Sequence, residues 1–342
     1  LNQDNLDDTA SKITAWAWIK NRDDTDSHVL VDRVRGVGVE VHTDGTTTTP
    51  ETTNMNTVQR FLQRGVQVGS DVQVNTSGES YVLWQWLVGD SATTGTANTQ
   101  GSLNSTVLAA DAGHFSVVSW TGNETAGATI GHGMGGEPEF IIAIARAESG
   151  ENKPVYHTFM TADTDHFKIN EGNGQSTAGT TIWDVSAMSS TLIGLGAAVQ
   201  SNSNNGMIAY CFRSVPGVCK VGKYIGNGDG TGSDTVDGPY VSCGFKPRWI
   251  MFKWVSGGSL SGEGWVIKDT ARQTANPNDD ADLIPSGTNA EAAGATHGAD
   301  ILSDGFKIRG GGGAVNKSGA TYFYMAMADI GGNGTLPPIY GR

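Results

Sequence analysis

Short apolar runs, separated by polar and glycine-rich clusters, recur along the whole chain. No stretch keeps the apolar period of an amphipathic helix, and runs of about four to eight residues bounded by Gly, Asn, Asp or Pro are typical of β-strands. A short helix at 57–63 is the one helical segment that the pattern favours. The pattern predicts an all-β protein, with its clearest strands at 81–88, 140–145, 249–255 and 322–328.

The predicted strands form a two-part pattern that occurs three times. The first part is an aromatic and apolar run followed by a second run that closes on Asp-x-x-Arg, and it stands at 16–35, 249–272 and, in a weaker form, 138–157. The second part is a strand, an Asn-containing turn and an aromatic strand, and it stands at 65–86, 305–324 and, more weakly, 192–212. A repeat of this length suits one small domain. The sequence therefore predicts three tandem, related, small β-sandwich or barrel-like domains with long loops.

The limits of the pattern divide the chain into six parts. They are an N-terminal arm at 1–12, a first β repeat at 13–88, a linker at 89–112, a second repeat at 113–217, a third repeat at 218–330 and a tail at 331–342. Long polar loops at 43–56, 172–188 and 276–299 interrupt the three repeats. Such loops often carry binding, although tolerated surface insertion is an equal alternative.

The first repeat lacks the opening stretch that the other two share. That stretch reads Trp120-Thr-Gly-Asn123 in the second repeat and Tyr224-Ile-Gly-Asn227 in the third. A sheet without its first strands has an unpaired edge. We therefore expect another segment to cover this edge: upstream sequence, a neighbouring copy of the chain, or the tail at 331–342.

Aromatic residues recur two positions apart, which places them on one face of a strand. Trp84 and Trp86 form one such pair, with Trp16 and Trp18 predicted to pack against them. Because the pairs stand at matched positions, we expect them to form the core of each repeat. A sugar-binding aromatic platform is the alternative.

The composition restricts the classes of partner. The formal net charge of −13 disfavours nucleic acid and anionic lipid. No apolar run approaches the roughly 20 residues of a membrane span. The three cysteines, Cys211, Cys219 and Cys243, lack zinc spacing and are predicted to be buried thiols, with a single bridge as the alternative.

The candidate sites are few. Asp32 with Arg35, and Asp269 with Arg272, are predicted to be structural ion pairs, because a catalytic carboxylate does not need to be repeated. A glycine-rich loop offers a calcium site, with a plain hairpin loop as the alternative. Its candidate ligands are Asn227, Asp229, Asp234 and Asp237. No catalytic motif is present, so we predict a protein that is not an enzyme and that has no cofactor unless this loop binds calcium. The nearest approach to a catalytic cluster is Asp163, Asp165 and His166.

The same motifs carry a resemblance to a known family. The motifs are Trp18-Ile-Lys-Asn-Arg22, Asp32-Arg33, Thr121-Gly-Asn123, Pro138-Glu-Phe-Ile-Ile142, Tyr210-Cys-Phe212, Val215-Pro-Gly217 and Tyr224-Ile-Gly-Asn227. Together they resemble an uncharacterised repeat domain of marine bacteriophage tail, tail-fibre and virion proteins. The resemblance covers about residues 13–342 and supplies no catalytic residue.

The resemblance implies a virion structural protein, a tail-fibre or host-contact component at the particle surface. Its partners would be other copies of itself, other virion proteins and a host surface glycan. The alternatives are a glycan-binding or glycan-cleaving tail module, and a surface or filament-forming structural protein.

Overall fold

A computed structural model describes residues 12–45, 51–89, 94–160, 162–228, 237–257, 264–273, 275–276, 281–292 and 296–328. We call the described parts of 13–88, 113–217 and 218–330 the first, second and third units. The described residues fold almost entirely into antiparallel β-sheets, with three helices of a single turn each. The all-β prediction is therefore confirmed, and the arrangement of the sheets is sandwich-like.

The first unit contains a five-stranded sheet in the order β4-β3-β2-β1-β7 and a β5-β6 hairpin. Its elements are β1 (Lys12–Asn21), β2 (Val29–Asp32), β3 (Val39–His42), β4 (Glu51–Thr53), β5 (Val58–Leu62), β6 (Gly65–Val68), α1 (Val72–Asn75) and β7 (Tyr81–Gly89). The predicted helix at 57–63 is wrong. Val58 is buried against β6 while the residues that follow it alternate in exposure, so this segment pairs as a strand.

The second unit contains an eight-stranded sheet in the order β15-β14-β13-β12-β17-β10-β9-β8 and a β11-β16 pair. Its elements are β8 (Thr96–Asn98), β9 (Ser105–Ala109), β10 (Phe115–Trp120), β11 (Ala128–Gly131), β12 (Phe140–Ala145), β13 (Pro154–His157), β14 (Asp165–Lys168), β15 (Ser176–Thr177), a 3₁₀ turn (Val185–Ala187), β16 (Leu192–Leu195), α2 (Val199–Asn202) and β17 (Met207–Phe212). The predicted linker at 89–112 is wrong, because β8 and β9 lie within it. They extend the sheet, and β9 pairs with β10.

The third unit contains two sheets, β18-β24-β20-β21 and β19-β23-β22. Its elements are β18 (Cys219–Ile225), β19 (Tyr240–Ser242), β20 (Pro247–Ser256), β21 (Val266–Asp269), β22 (Ala299–Leu302), β23 (Gly305–Ile308), α3 (Gly313–Asn316) and β24 (Thr321–Ala328). The two sheets face each other across a core of their own, which includes Phe252, Phe306 and Tyr322.

The central strands of the three units pair in the same register. Trp16 of β1 lies opposite Asp32, Phe140 of β12 opposite His157, and Trp249 of β20 opposite Asp269. A second antiparallel strand, β7, β17 or β24, flanks the other side of each central strand. A one-turn helix precedes each of these flanking strands. The strand order at the centre of each unit is therefore the same.

A tyrosine near the start of the flanking strand shows the same likeness in atomic detail. The hydroxyl of Tyr81 accepts from the Thr76 amide at 2.8 Å and donates to the Val72 carbonyl at 2.7 Å. The hydroxyl of Tyr322 accepts from the Lys317 amide at 2.7 Å and donates to the Gly313 carbonyl at 2.5 Å. In each case one phenol ties the end of a short helix to the strand that follows.

A hydrophobic core shared by the units lies beside the separate cores of the third unit and of the first. Trp16, Trp84, Tyr210 and Trp249 belong to one continuous buried cluster although they come from all three units. Trp16 stacks on Tyr210 with centroids 4.0 Å apart, and Trp86 meets Trp249 edge to face at 6.0 Å. The expectation that these tryptophans would form a separate core in each repeat is therefore wrong, because they fill the space between the units. The division into three tandem domains stays a prediction.

Candidate functional site

The predicted pair Asp32 and Arg35 lies at the end of β2 and is fully buried. One carboxylate oxygen of Asp32 accepts from the amides of Val34 and Arg35 at 3.0 and 2.9 Å, which closes the turn after the strand. The other oxygen accepts from Nε of Arg35 at 2.6 Å. Nη2 of Arg35 donates to the Leu30 carbonyl at 3.1 Å. The spacing Asp-x-x-Arg thus produces a local turn with an internal counter-charge.

The pair Asp269 and Arg272 repeats this geometry after β21. The amides of Ala271 and Arg272 donate to one oxygen of Asp269 at 3.0 and 2.9 Å. Nε of Arg272 donates to the other oxygen at 2.5 Å, and its Nη2 donates to the Ile267 carbonyl at 2.9 Å. Both pairs therefore make the same set of hydrogen bonds within their own unit.

Each pair also receives a hydrogen bond from a different unit. The hydroxyl of Tyr210, in the second unit, donates to Asp32 at 3.0 Å and accepts from Nη2 of Arg35 at 2.9 Å. The indole of Trp84, in the first unit, donates to Asp269 at 3.1 Å. The buried carboxylates therefore accept hydrogen bonds both from the turn that follows their strand and from a side chain of another unit.

A glutamate from the segments predicted to be long loops extends each pair to a second arginine, and one of these glutamates, Glu51, is the first residue of β4. Glu51 binds Nη1 of Arg35 at 3.4 Å and forms two 2.7 Å hydrogen bonds with Arg146 of the second unit. We call Asp32, Arg35, Tyr210, Glu51 and Arg146 the first network. It joins the loop of the first unit to the end of β12.

The corresponding glutamate of the third unit is Glu291. It binds Nη1 of Arg272 at 2.9 Å and is held by Nε and Nη2 of Arg22, in the first unit, at 2.9 and 2.8 Å. We call Asp269, Arg272, Trp84, Glu291 and Arg22 the second network. It joins the loop of the third unit to the end of β1.

A third position has the same backbone geometry without the charges. The amide of Gln175 donates to the Val255 carbonyl at 3.0 Å, as the amides of Glu51 and Glu291 donate to the carbonyls of Arg146 and Arg22. Here His157 stands where the other units have aspartate, and it stacks on Phe323 of the third unit at 3.7 Å. Met160, buried, follows His157 at the arginine position of Asp-x-x-Arg.

The three loop contacts close a ring. The loop of the first unit contacts the second unit, that of the second contacts the third, and that of the third contacts the first. The nitrogen Nζ of Lys253, for example, donates to the Gly172 carbonyl at 2.8 Å. The alternative that loops 43–56, 172–188 and 276–299 are free surface insertions is therefore wrong for their described parts, because these bind the neighbouring unit. That the loops carry external binding stays a prediction.

The electrostatics of the networks follow from burial. Desolvation opposes the charge on Arg35, but Asp32, Tyr210 and Glu51 outweigh it and raise the pKa of the guanidinium. Burial favours protonated Glu291, yet Arg22 and Arg272 together lower the pKa of its carboxyl. At the third position burial lowers the pKa of His157 to about 3, so its imidazole is neutral at physiological pH.

The proposed calcium ligands are only partly within the described residues. Asp237 is exposed and its carboxylate binds Lys307 at 2.5 Å, and the side chain of Asn227 donates to the Asp237 carbonyl at 3.1 Å. Asp229 and Asp234 lie outside the described residues, so the calcium site stays a prediction. Among the described residues, no three His, Cys, Asp or Glu side chains are grouped as metal ligands.

The acidic–histidine cluster at 163–166 serves local structure. Asp163 accepts from the Val185 amide at 2.8 Å, Asp165 accepts from the hydroxyl of Thr177 at 3.2 Å, and His166 contacts the Thr164 carbonyl at 3.2 Å. These bonds hold the loop after β14. Cys211, Cys219 and Cys243 are buried free thiols, and burial raises the pKa of each.

A polar cavity of about 390 Å³ lies beside the first network, at the edge formed by β8, β9 and the end of β10. Its lining combines residues that have amide and hydroxyl side chains with Trp120 and Arg146, and Arg146 also binds Glu51. Such a lining offers donors and acceptors for a neutral polar ligand. The lining side chains are Asn104, Ser105, Thr106, Ser119, Trp120, Thr121, Arg146 and Asn205.

Sequence reasoning found the Asp-x-x-Arg pairs but missed Tyr210, Trp84, Glu51 and Glu291. The signal for the glutamates was weak, since each lies in a polar loop far from its arginine partners. The polar cavity was missed because its lining comes from several separate stretches of the chain, one of them within the segment interpreted as a linker. Within the described residues, no helix is both long and apolar enough to cross a bilayer.

A family described as a domain of unknown function, DUF7483, matches residues 8–330. The chain belongs to this family. The match runs through all three units as a single domain, which agrees with the shared core. No curated protein and no solved structure matches the chain.

Proposed function

We propose that this member of the DUF7483 family is a non-enzymatic structural protein of a bacteriophage virion, a tail-fibre or host-contact component at the particle surface. The observation that carries the proposal is the use of buried charge. In the first and second networks, the carboxylates and guanidiniums form ion pairs and hydrogen bonds that join the units. Groups held in this way are fixed by several bonds each, which suits a subunit that bears load.

Two further features support a structural role. Each unit contacts the next through one of its loops, and these contacts form a ring. A unit can therefore separate only if hydrogen bonds to its neighbours break. The net charge of −13 favours a partner that is neutral or basic, such as another protein or a neutral glycan. The assignment to a virion rests on the resemblance of the sequence motifs to virion proteins.

The test is immunogold labelling of purified phage particles with antibodies against the chain, together with mass spectrometry of the same particles. We expect label on the tail or fibres at a regular copy number. Particles that are infectious but lack the chain would overturn the proposal. Label on the cell envelope or on filaments instead would favour the alternative of a surface or filament-forming protein.

Glycan binding is a second candidate, and the polar cavity next to Arg146 is the observation that favours it. Its amide and hydroxyl lining suits sugar hydroxyls. Heating the chain with and without host polysaccharide measures binding, because a ligand of the native state raises Tm. Asn205→Ala should abolish the rise, with Asn173→Ala, in a loop away from the cavity, as the matched control. Release of reducing sugar would instead favour glycan cleavage.

A further inference from the structure

The outer edge of β6 differs from its counterparts in the other two units. In the third unit β23 has β22 on one side and β19 on the other, and in the second unit β16 pairs with β11. In the described part of the first unit, β6 pairs with β5 alone. The backbone groups on the outer side of β6 therefore correspond to groups of β23 that pair with β19 in the third unit.

The register identifies these groups. Leu62 and Gly65 close the β5–β6 hairpin, so alternation directs the amides and carbonyls of Val66 and Val68 away from β5. In the third unit Leu302 and Gly305 close the hairpin in the same way. There Phe306 pairs with Val241, and the Ile308 amide donates to the Pro239 carbonyl at 3.0 Å. Val66 and Val68 occupy the places of Phe306 and Ile308.

The segments next to β6 in the chain carry exposed apolar side chains and basic residues. Met55 precedes β5, Leu62 ends β5 and Val72 follows β6, and they are 52%, 44% and 60% exposed. The hairpin 58–68 contains two arginines and no acidic residue, in a chain whose net charge is −13. In the third unit Lys307 binds Asp237, which precedes β19, but the residue of β6 at the matching position is the neutral Gln67. An acidic segment would therefore match the hairpin in charge through Arg60 and Arg64.

We propose that the outer edge of β6 is a strand-acceptor site that binds an extended, acidic segment of a different protein subunit by β-augmentation. The incoming segment runs antiparallel to β6, exchanges hydrogen bonds with Val66 and Val68 and covers Val72. Its chemistry is that of β19: one inward apolar side chain, Val241, between the exposed Tyr240 and Ser242, and a preceding acidic residue, Asp237. This proposal extends the structural role by naming how the subunit joins its neighbour.

The probe is a synthetic peptide with the sequence of residues 237–245, carrying Cys243→Ser. We expect it to bind the full chain, as measured by calorimetry, and to slow hydrogen exchange at the amides of Val66 and Val68. The same peptide N-methylated at its Val241 position should bind at least about tenfold more weakly, because the bond to the edge is lost. Equal binding of both peptides, or binding of neither, would overturn the proposal.

Two variants of the chain locate the site. Val66→Pro removes an outward amide without removing a β5–β6 bond and should abolish peptide binding. Val241→Pro blocks the already paired strand of the third unit and should leave binding unchanged if the chain remains folded by circular dichroism. If either variant fails to fold, the comparison of the two peptides on the unaltered chain still tests the proposal.

The other possible occupants give different results. Slow exchange of the Val66 and Val68 amides in the isolated monomer would mean that the chain covers its own edge, and would refute the proposal. If the chain associates with itself and Val66→Pro abolishes that association, the incoming strand belongs to a second copy of the chain. This result would refute the proposal that a different protein supplies the strand. Failure of peptide binding leaves particle labelling unaffected, so this inference and the virion proposal are tested separately.

Discussion

The indole of Trp84 donates to the carboxylate of Asp269 at 3.1 Å, so a residue of the first unit completes a buried ion pair in the third. Tyr210 does the same for Asp32 from the second unit. In both cases a polar group of one unit satisfies a buried charge of another. The shared core is therefore held in register by hydrogen bonds that apolar packing alone would not specify.

Removing one of these bonds should destabilise the whole chain. Tyr210→Phe leaves Asp32 and Arg35 buried with one partner fewer, and we expect a loss of about 1–2 kcal/mol in the free energy of unfolding, measured by denaturant melts. Tyr240→Phe is the matched control, since its hydroxyl bonds to Asp304 at the surface. Equal stability of the Tyr210→Phe variant and the wild type would mean that the inter-unit bond contributes nothing.

The tryptophans between the units should contribute more than any single polar bond. Trp84 and Trp249 are each 2% exposed. Trp84→Ala and Trp249→Ala should each cost about 3–5 kcal/mol, because a large cavity opens between packed sheets. Near-ultraviolet circular dichroism should report the loss in all units together. Separate melting of one unit in either variant would contradict a shared core.

Replacing all charged residues of the first network by uncharged ones should destabilise the protein less than removing a single charged residue. Arg35→Met alone leaves Asp32 buried without its counter-charge and should cost about 3–5 kcal/mol. The combined variant with Asp32→His, Arg35→Met, Glu51→Gln, Arg146→Val and Tyr210→Phe introduces the uncharged residue types found at the third position, where His157 stacks on a phenylalanine. It should lie within about 2 kcal/mol of wild type by the same denaturant melts. A combined variant that is less stable than Arg35→Met would disprove the equivalence.

Acid should destabilise the protein through His157. Burial lowers the pKa of this imidazole to about 3, below its ordinary value near 6.5. The unfolded chain therefore binds an extra proton once the pH falls below about 6.5, and stability falls with pH from there towards 3. The contribution of this one group is about 2 kcal/mol between pH 7 and pH 5. His157→Gln should show a smaller loss over that range, and an identical pH profile for the two proteins would count against a buried neutral imidazole.

Much of the local structure followed from the sequence by itself. Apolar runs between turn residues gave the strands at 140–145 and 322–328, and the Asp-x-x-Arg spacing gave two turns whose carboxylates reach amides only two and three residues away. Interactions of such short range are set by the chain's own geometry, so spacing is enough to predict them. The same reasoning failed at 57–63 and at 89–112, where pairing with a distant strand outweighs weak local preference.

The tertiary structure alone decided how the units meet. Every residue of β12 is buried, which is the pattern of a strand covered on both faces, but an apolar run does not say what covers it. The partners of Asp32 and Asp269 come from other units, and no spacing rule connects Tyr210 or Trp84 to them. The loops of the first and third units carry glutamates for a physical reason that only the fold reveals: Glu51 and Glu291 meet arginines at the ends of the central strands of the next unit.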